Sequence, residues 1–244
     1  MFRWFVNLNK KICYKIDMHL AYRTPLIIEQ YINRISEHLN QKPDALVVDV
    51  GAGIECPFAK LRDPQLRIRI VGVDILPAAL EQNHDIDDKV VADVNNEFPF
   101  ADNSVDLITS RMVLEHLQNN ARFFQRAFAS LKPGGYFIHV CPAKYALFSM
   151  INQMLPKKFG RKLLFFIFPE RVNSGFPAYY DQCSYYRMSK LLKKQGFVID
   201  GFDFSYYQSS YFSFFVPFYL ISVLYELFSY KLGLRNLSSF LLFV

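Results

Sequence analysis

Three observations predict an α/β fold built on a doubly wound, mostly parallel sheet. The first is Val47-Val48-Asp49-Val50-Gly51-Ala52-Gly53, a β-branched run that closes on an acid and two glycines. The second is Val71-Gly72-Val73-Asp74, which repeats the pattern about twenty residues on. The third is the alternation of helix-like and strand-like segments over residues 23–204, which forces parallel strands joined by right-handed crossovers. A chain of 244 residues suits one such domain with insertions, and is short for two.

Residues 23–39 place Ile27, Ile28, Tyr31, Ile32, Ile35 and Leu39 on one stripe, so residues 1–42 read as a helical cover ahead of the first strand. Strands are expected at 45–50, 68–74, 90–93 and 105–110. Helices are expected from about Pro57, from Pro77, and from Leu114 to Leu131. Leu131-Lys132-Pro133-Gly134-Gly135 reads as a turn, and residues 136–140 alternate into a fifth strand. A helix at 189–195 is capped by Gly196, a sixth strand follows at 197–204, and residues 237–244 read as a seventh.

Composition adds an apolar excess. The hydrophobic fraction is 52% and the aromatic fraction 17%, with 25 Phe and 15 Tyr, more than one soluble core needs. The net charge of +6 comes from scattered residues and short clusters, and by itself chooses neither nucleic acid nor an anionic membrane. Cys13, Cys56, Cys141 and Cys183 are far apart, which signals neither a zinc site nor a disulfide framework and fits a reducing cytoplasm. Residues 1–8 hold Arg3 and Trp4 with no apolar core, so a secretory signal is not expected.

A buried strand that delivers its backbone to a glycine turn lets a ligand approach where a Cβ would block it. Asp74, ending the second strand, has two carboxylate oxygens able to accept from both hydroxyls of a ribose. One such turn is weak testimony, because nicotinamide, flavin and purine-nucleotide folds all use it. No Lys-Ser or Lys-Thr follows it, which disfavours a nucleoside-triphosphate loop. Order narrows the choice: the 49–53 turn is followed by Gly72-Val73-Asp74, Ala92-Asp93-Val94, Ser104-Val105-Asp106-Leu107-Ile108, Val113-Leu114-Glu115-His116-Leu117 and Leu131-Lys132-Pro133-Gly134-Gly135. Over residues 45–140 this succession resembles the class I S-adenosylmethionine-dependent methyltransferases, type 11-like.

The resemblance implies a Rossmann-like seven-stranded sheet with an antiparallel last strand, and S-adenosylmethionine as cofactor. It implies that Asp49, Gly51, Ala52 and Gly53 lie against the amino-acid part of the cofactor and that Asp74, with Ile75, holds the ribose. Asp93 would accept from the adenine amino group, with Val94 near the ring, and Ser110 and Arg111 would line the pocket near the reactive methyl. Glu55 stands where the family's fuller pattern has a third glycine. Plainer roles compete: Asp49 can simply orient the turn, and strand-end aspartates are commonly caps. No metal site is expected.

A sulfonium is already an activated donor, so the protein mainly aligns an acceptor and excludes water. A base for an oxygen acceptor would come from His116, Tyr179, Tyr180 or a solvent chain; His116 can equally be a structural partner. Two apolar insertions bear on the acceptor. The 143–180 insertion carries Lys157-Lys158-Phe159-Gly160-Arg161-Lys162 ahead of a Leu- and Phe-rich run, a pattern suited to an interface, and ends in Phe176-Pro177-Ala178-Tyr179-Tyr180, similar to a stretch in a bacterial subgroup of these enzymes. The 205–236 insertion has no charged residue between Tyr206 and Tyr225. It is too short for two membrane crossings, which need roughly forty apolar residues. It can lie in an interface, cover the site as a lid, or meet a second copy in a homodimer.

The resulting expectation is a cytoplasmic enzyme that O-methylates a lipophilic or lipid-linked small molecule, with a peripheral place on the inner face of the membrane. The alternatives are a methyltransferase for a soluble sugar or secondary metabolite under a plain lid, and a non-catalytic cofactor-binding protein. Nucleic acid is not an expected partner: Ser110-Arg111-Met112-Val113 stands where amino-methylating enzymes carry Asn/Asp-Pro-Pro-Tyr/Phe.

Overall fold

A computed structural model describes residues 2–20, 26–155 and 176–244. Strands β1 (Leu46–Val50), β2 (Arg69–Asp74), β3 (Asp88–Val91), β4 (Val105–Arg111), β5 (Leu131–Pro142), β6 (Phe202–Ser205) and β7 (Phe240–Phe243) form one sheet in the order β3-β2-β1-β4-β5-β7-β6. β1 to β5 are mutually parallel, and β7 runs antiparallel between β5 and β6. The order reverses between β1 and β4. Open α/β sheets bind ligands in the crevice beyond the carboxyl ends of the strands at that point.

Alternation within the strands sends side chains to two cores. On one face α2 (Ile27–Leu39) buries Ile27, Tyr31, Ile35 and Leu39 against Val47, Ile70, Leu107 and Ile138, joined by Leu80 of the short α3 (Pro77–Gln82). The helical stripe expected there is the one buried; residues 23–25 of that span lie outside the described residues. On the other face α4 (Asn120–Ser130) and α6 (Tyr185–Gln195) pack Phe123, Phe124, Met188 and Leu192 on Val48, Val50, Ile108 and Phe137. Gly196 ends α6 at φ 98°, and a Cβ there would meet the Phe128 ring at 2.9 Å. Both edge strands are four residues long and charged: Asp88 of β3 pairs with Arg69, and Asp203 of β6 takes the Arg34 guanidinium of α2 at 3.0 and 3.4 Å.

Several element bounds differ from expectation for local reasons. The segment after Pro57 makes two 3-10 turns, Ala59–Leu61 and Pro64–Leu66, because Asp63 caps a new turn at Gln65 and Pro64 interrupts any longer helix. The helix expected from Leu114 is split into a 3-10 turn, Leu114–His116, and α4, whose cap is the Asn119 side chain accepting from the Arg122 amide. The Lys-Pro-Gly-Gly turn is absorbed into β5 through a shift in register opposite residues 105–107. β3 ends at Val91, so Asp93 sits two residues beyond it. β6 begins only at Phe202, and β7 only at Phe240.

The apolar extras pack on one another. α1 (Phe2–Asp17), α5 (Leu147–Met154) and α7 (Val216–Lys231) gather around a small third core of Cys13, Phe212, Tyr219 and Val223. Phe148 of α5 stacks on Tyr211 at 4.4 Å, the Tyr225 hydroxyl donates to the Tyr145 carbonyl, and the α7 amide at Val216 donates to Asn9 of α1. The basic cluster at 157–162 and the run behind it lie outside the described residues. Among the described residues no helix is long and apolar enough to cross a membrane.

Candidate active site

The glycine turn after β1 is shaped by its neighbours. Gly51 (φ 70°) and Gly53 (φ 53°) adopt left-handed backbone, and a Cβ on Gly51 would lie 2.2 Å from Cγ2 of Val113, two residues beyond the end of β4. Asn83, fully buried, donates its amide to the carbonyls of Ala52 and Gly53 at 3.1 and 3.3 Å and so fixes the turn from below. Asp74 is clamped at the mouth: Oδ2 accepts from the Gly53 amide at 3.0 Å and Oδ1 from Leu76 at 2.9 Å. Each oxygen keeps a lone pair, so the carboxylate is oriented to take two further donors. That matches the two hydroxyls of a ribose.

Asp49 lies fully inside, beneath the turn. Burial raises its carboxyl to about 7, opposed by the Arg111 guanidinium and by a hydrogen bond from the Cys56 thiol. Arg111 itself reaches over to Glu55 Oε1 at 3.0 Å, so the residue in place of the third glycine closes an ion pair across the turn. Asp93 folds into its own turn: Oδ1 accepts from the amide and side chain of Asn95, and Oδ2 from Asn96 at 2.8 Å. Val94 is buried beside it and Ile75 is exposed at the rim. The Ser110 hydroxyl is turned into the core, where it shares a 2.6 Å hydrogen bond with Nδ1 of His139, a buried imidazole whose desolvation holds it neutral.

The acceptor candidates converge on the turn after β4. Residues 176–181 arch over it: the amides of Tyr179 and Tyr180 both donate to the Glu115 carbonyl, at 2.7 and 3.0 Å, and Asn120 holds Asp181 from below. His116 Nδ1 lies 2.9 Å from the Pro177 carbonyl. A carbonyl can only accept, so Nδ1 carries the proton and Nε2 presents its lone pair. Burial lowers the His116 pKa, which keeps the ring neutral at physiological pH. Nε2 stands 3.7 Å from Glu115 Oε1, beyond hydrogen-bond length. The Tyr179 hydroxyl takes the Gln118 amide at 3.2 Å, and the buried Tyr180 hydroxyl takes Asn152 of α5 at 3.2 Å. Met112 (φ 58°) and Tyr180 (φ 51°) hold left-handed backbone without being glycine, strain of the kind that gathers at functional sites.

Cofactor cradle and acceptor arch are joined. The Gln118 amide donates to Asn95 Oδ1 at 2.8 Å, and Asn95 in turn donates to Asp93. Two contributors carried no assigned role in the sequence reading. Asn83 follows a short helix with no motif around it. Glu115 is 5% exposed, leaves Oε2 without a partner among the described residues, and has its carboxyl raised by desolvation to about 8. It precedes His116 in the Val-Leu-Glu-His-Leu motif, and its carbonyl is covered by the arch, which arrives from some sixty residues later.

The glycine turn, Asp74 and the 176–181 arch all stand at or beyond the carboxyl ends of the parallel strands, at the switch point of the seven-stranded sheet. Residues 48–139 match the family described as a methyltransferase domain. The chain is 31% identical over 101 residues, 38% of its length and 23% of the relative's, to phosphoethanolamine N-methyltransferase 2 of Caenorhabditis elegans. It is 28% identical over 130 residues, 51% of its length and 45% of the relative's, to malonyl-acyl carrier protein O-methyltransferase 1 of Coxiella burnetii. Its fold matches an S-adenosylmethionine dependent methyltransferase from Mesorhizobium loti with a TM-score of 0.55 at 15% identity, over 86% of this chain and 94% of that one. The chain spans less than half the length of the curated relatives named here. Over residues 48–139 the chain thus carries a methyltransferase domain, and its fold is one that an S-adenosylmethionine dependent methyltransferase adopts.

Proposed function

We propose that this chain methylates the oxygen of a lipophilic or lipid-linked small molecule at a membrane surface. The observation that carries the reading is His116, a neutral imidazole whose Nδ1 donates to the Pro177 carbonyl, which leaves the lone pair on Nε2. Asp49, the 51–53 turn and Asp74 would hold S-adenosylmethionine, which supplies a methyl on a positively charged sulfur. Nε2 of His116 takes the proton of an acceptor hydroxyl, and an oxygen acceptor needs such a base. The arch and the aromatic cap exclude water from the reacting oxygen.

The two curated relatives are named for a nitrogen and an oxygen acceptor; a neutral His116 can take a proton from either kind of group, and the labelled product tells them apart. Support for an apolar acceptor comes from the cap, where Phe148, Tyr211 and Phe240 surround the segment leading to Asn152 and Tyr180. A soluble acceptor under a plain lid is the second reading, favoured by the hydrogen bonds that anchor the cap to the chain at Asn9, Tyr145 and Gln208. Incubation with isotopically labelled S-adenosylmethionine and separate lipid and aqueous extracts, read by mass spectrometry, tests both. Label in the lipid fraction alone is expected; label only in water-soluble products overturns the first reading.

A further inference from the structure

We propose that the outer faces of α1 and α7 together form a docking surface for an anionic phospholipid bilayer, a proposal that rests on the membrane-surface reading above. The central observation is that α7 keeps a second apolar stripe outside the core it packs on. Its outward positions are Pro217, Leu220, Ile221, Leu224 and Phe228, with Leu224 68% and Phe228 57% exposed. The spacing 217, 221, 224 and 228 follows one face of a helix. The face turned to the protein buries Tyr219 and Val223 together with Ser222, Glu226 and Ser229. Glu226 is used there, accepting the amides of Gln208 and Ser209 and so capping the 3-10 turn Ser209–Phe212.

α1 widens the surface. It is fixed beside α7 by the Asn9 contact to Val216, by Phe5 against Phe215 at 6.2 Å, and by Asp17 accepting from the Tyr219 hydroxyl. Its outward stripe is Trp4, Leu8 and Ile12, again at helical spacing, with Tyr14 and Met18 exposed at the end.

Charge selects the occupant. The exposed charged residues of the two helices are Arg3, Lys11, Lys15 and Lys231, all basic. Their two acids, Asp17 and Glu226, are drawn inward by tyrosine hydroxyls and backbone amides. A second copy laid on this face would set cations against cations with no exposed acid on either helix to offset them. Anionic headgroups complement the cations, while Trp, Phe and Leu enter the upper acyl region. α7, at 16 residues or about 24 Å, is too short to cross a bilayer and suits a helix lying in its plane. The surface also leads to the site, since Tyr225 of α7 bonds Tyr145 at the root of α5, and Asn152 of α5 bonds Tyr180.

Flotation of the full chain with vesicles of phosphatidylcholine and phosphatidylglycerol in equal parts tests the proposal, beside vesicles of phosphatidylcholine alone. Co-flotation is expected on the mixed vesicles, weakened several-fold by high salt and on the neutral ones. The double variant Leu224→Glu/Phe228→Glu is expected to lose at least tenfold in bound fraction, and Lys11→Glu/Lys15→Glu to lose the preference for anionic lipid. Calorimetry with S-adenosylmethionine on each variant verifies that the domain is folded. Wild-type protein that stays unbound on mixed vesicles overturns the proposal. So does a wild-type dimer in sedimentation that the Leu224→Glu/Phe228→Glu variant turns into a monomer, because a second copy then occupies the face. Flotation without label in the lipid fraction would leave the docking surface standing and remove the lipophilic acceptor.

Discussion

The cofactor cradle and the helical cap solve opposite problems. Around the 49–53 turn the protein satisfies its polar groups almost completely: Asn83, Asp74 and Arg111 each hold backbone or charge at 3.3 Å or less. The cap does the reverse. It buries Ser222, Glu226 and Ser229 beside Tyr219 and Val223 and leaves Leu224 and Phe228 exposed. A site that must present donors and acceptors in fixed directions needs over-determined geometry. A surface that meets something apolar needs area more than direction. The two regions therefore lose different things when altered.

The largest effect is expected at Asp74→Ala. Two hydrogen bonds to a charged group are each worth about 1.5–3 kcal/mol, so affinity for S-adenosylmethionine should fall about 100-fold or more in calorimetry while the circular dichroism spectrum is retained. Unchanged affinity would place the ribose elsewhere. Next comes His116→Ala, expected to lower kcat about 100-fold with cofactor affinity unchanged. An equal loss in both would make His116 a structural partner of Pro177.

Glu226→Ala separates the regions. It orphans the amides of Gln208 and Ser209 in a buried place, which should cost about 2–3 kcal/mol and appear as faster hydrogen exchange across 206–231, with cofactor affinity preserved. Loss of cofactor binding would show that cap and cradle fold as one unit.

A smaller effect is expected from pH. Asp49 titrates at about 7 in the folded protein against an ordinary 3.8, and Glu115 at about 8 against 4.5. Both are raised, so their contribution to stability is fully present below the ordinary values and is lost as pH climbs through about 7 and about 8. The ionised Asp49 attracts a cationic cofactor. Affinity should therefore rise between pH 6 and pH 8 by at most about tenfold per pH unit, with proton release detectable by calorimetry in buffers of different ionisation enthalpy. Asp49→Asn should flatten the profile. The smallest change is Leu224→Ser, expected to shift stability by no more than about 0.5 kcal/mol in thermal unfolding, because the side chain packs against little.

The cradle was legible in sequence because its parts are local. Asp49, Gly51, Gly53 and Asp74 sit at strand ends whose apolar runs announce them, and the left-handed turn requires glycine. The acceptor arch was half legible: His116, Tyr179 and Tyr180 were chosen one by one, but their convergence depends on carbonyl 115 receiving amides from 179 and 180, which no periodicity encodes. Orientation in α7 was not legible. A helical stripe of Ile221, Leu224 and Phe228 ordinarily faces the core, but here Tyr219 and Val223 take the core and Glu226 is held inside capping another segment, so the stripe faces outward. Helix bounds slipped where side chains intervened, as at Asp63 and Asn119, whose caps started new turns inside expected helices.

The short charged edges of the sheet have a consequence for a protein so rich in Phe and Tyr. A four-residue strand whose acid is held by an arginine offers an incoming chain few free amides in a row and an unfavourable charge beside them, at β3 through Asp88 and at β6 through Asp203. Strand-by-strand growth into fibres is discouraged at both ends, so self-association, where it occurs, is steered toward helix faces. Detergent or lipid would then be expected to disperse the protein without unfolding it, a practical distinction between a sticky surface and a misfolding one.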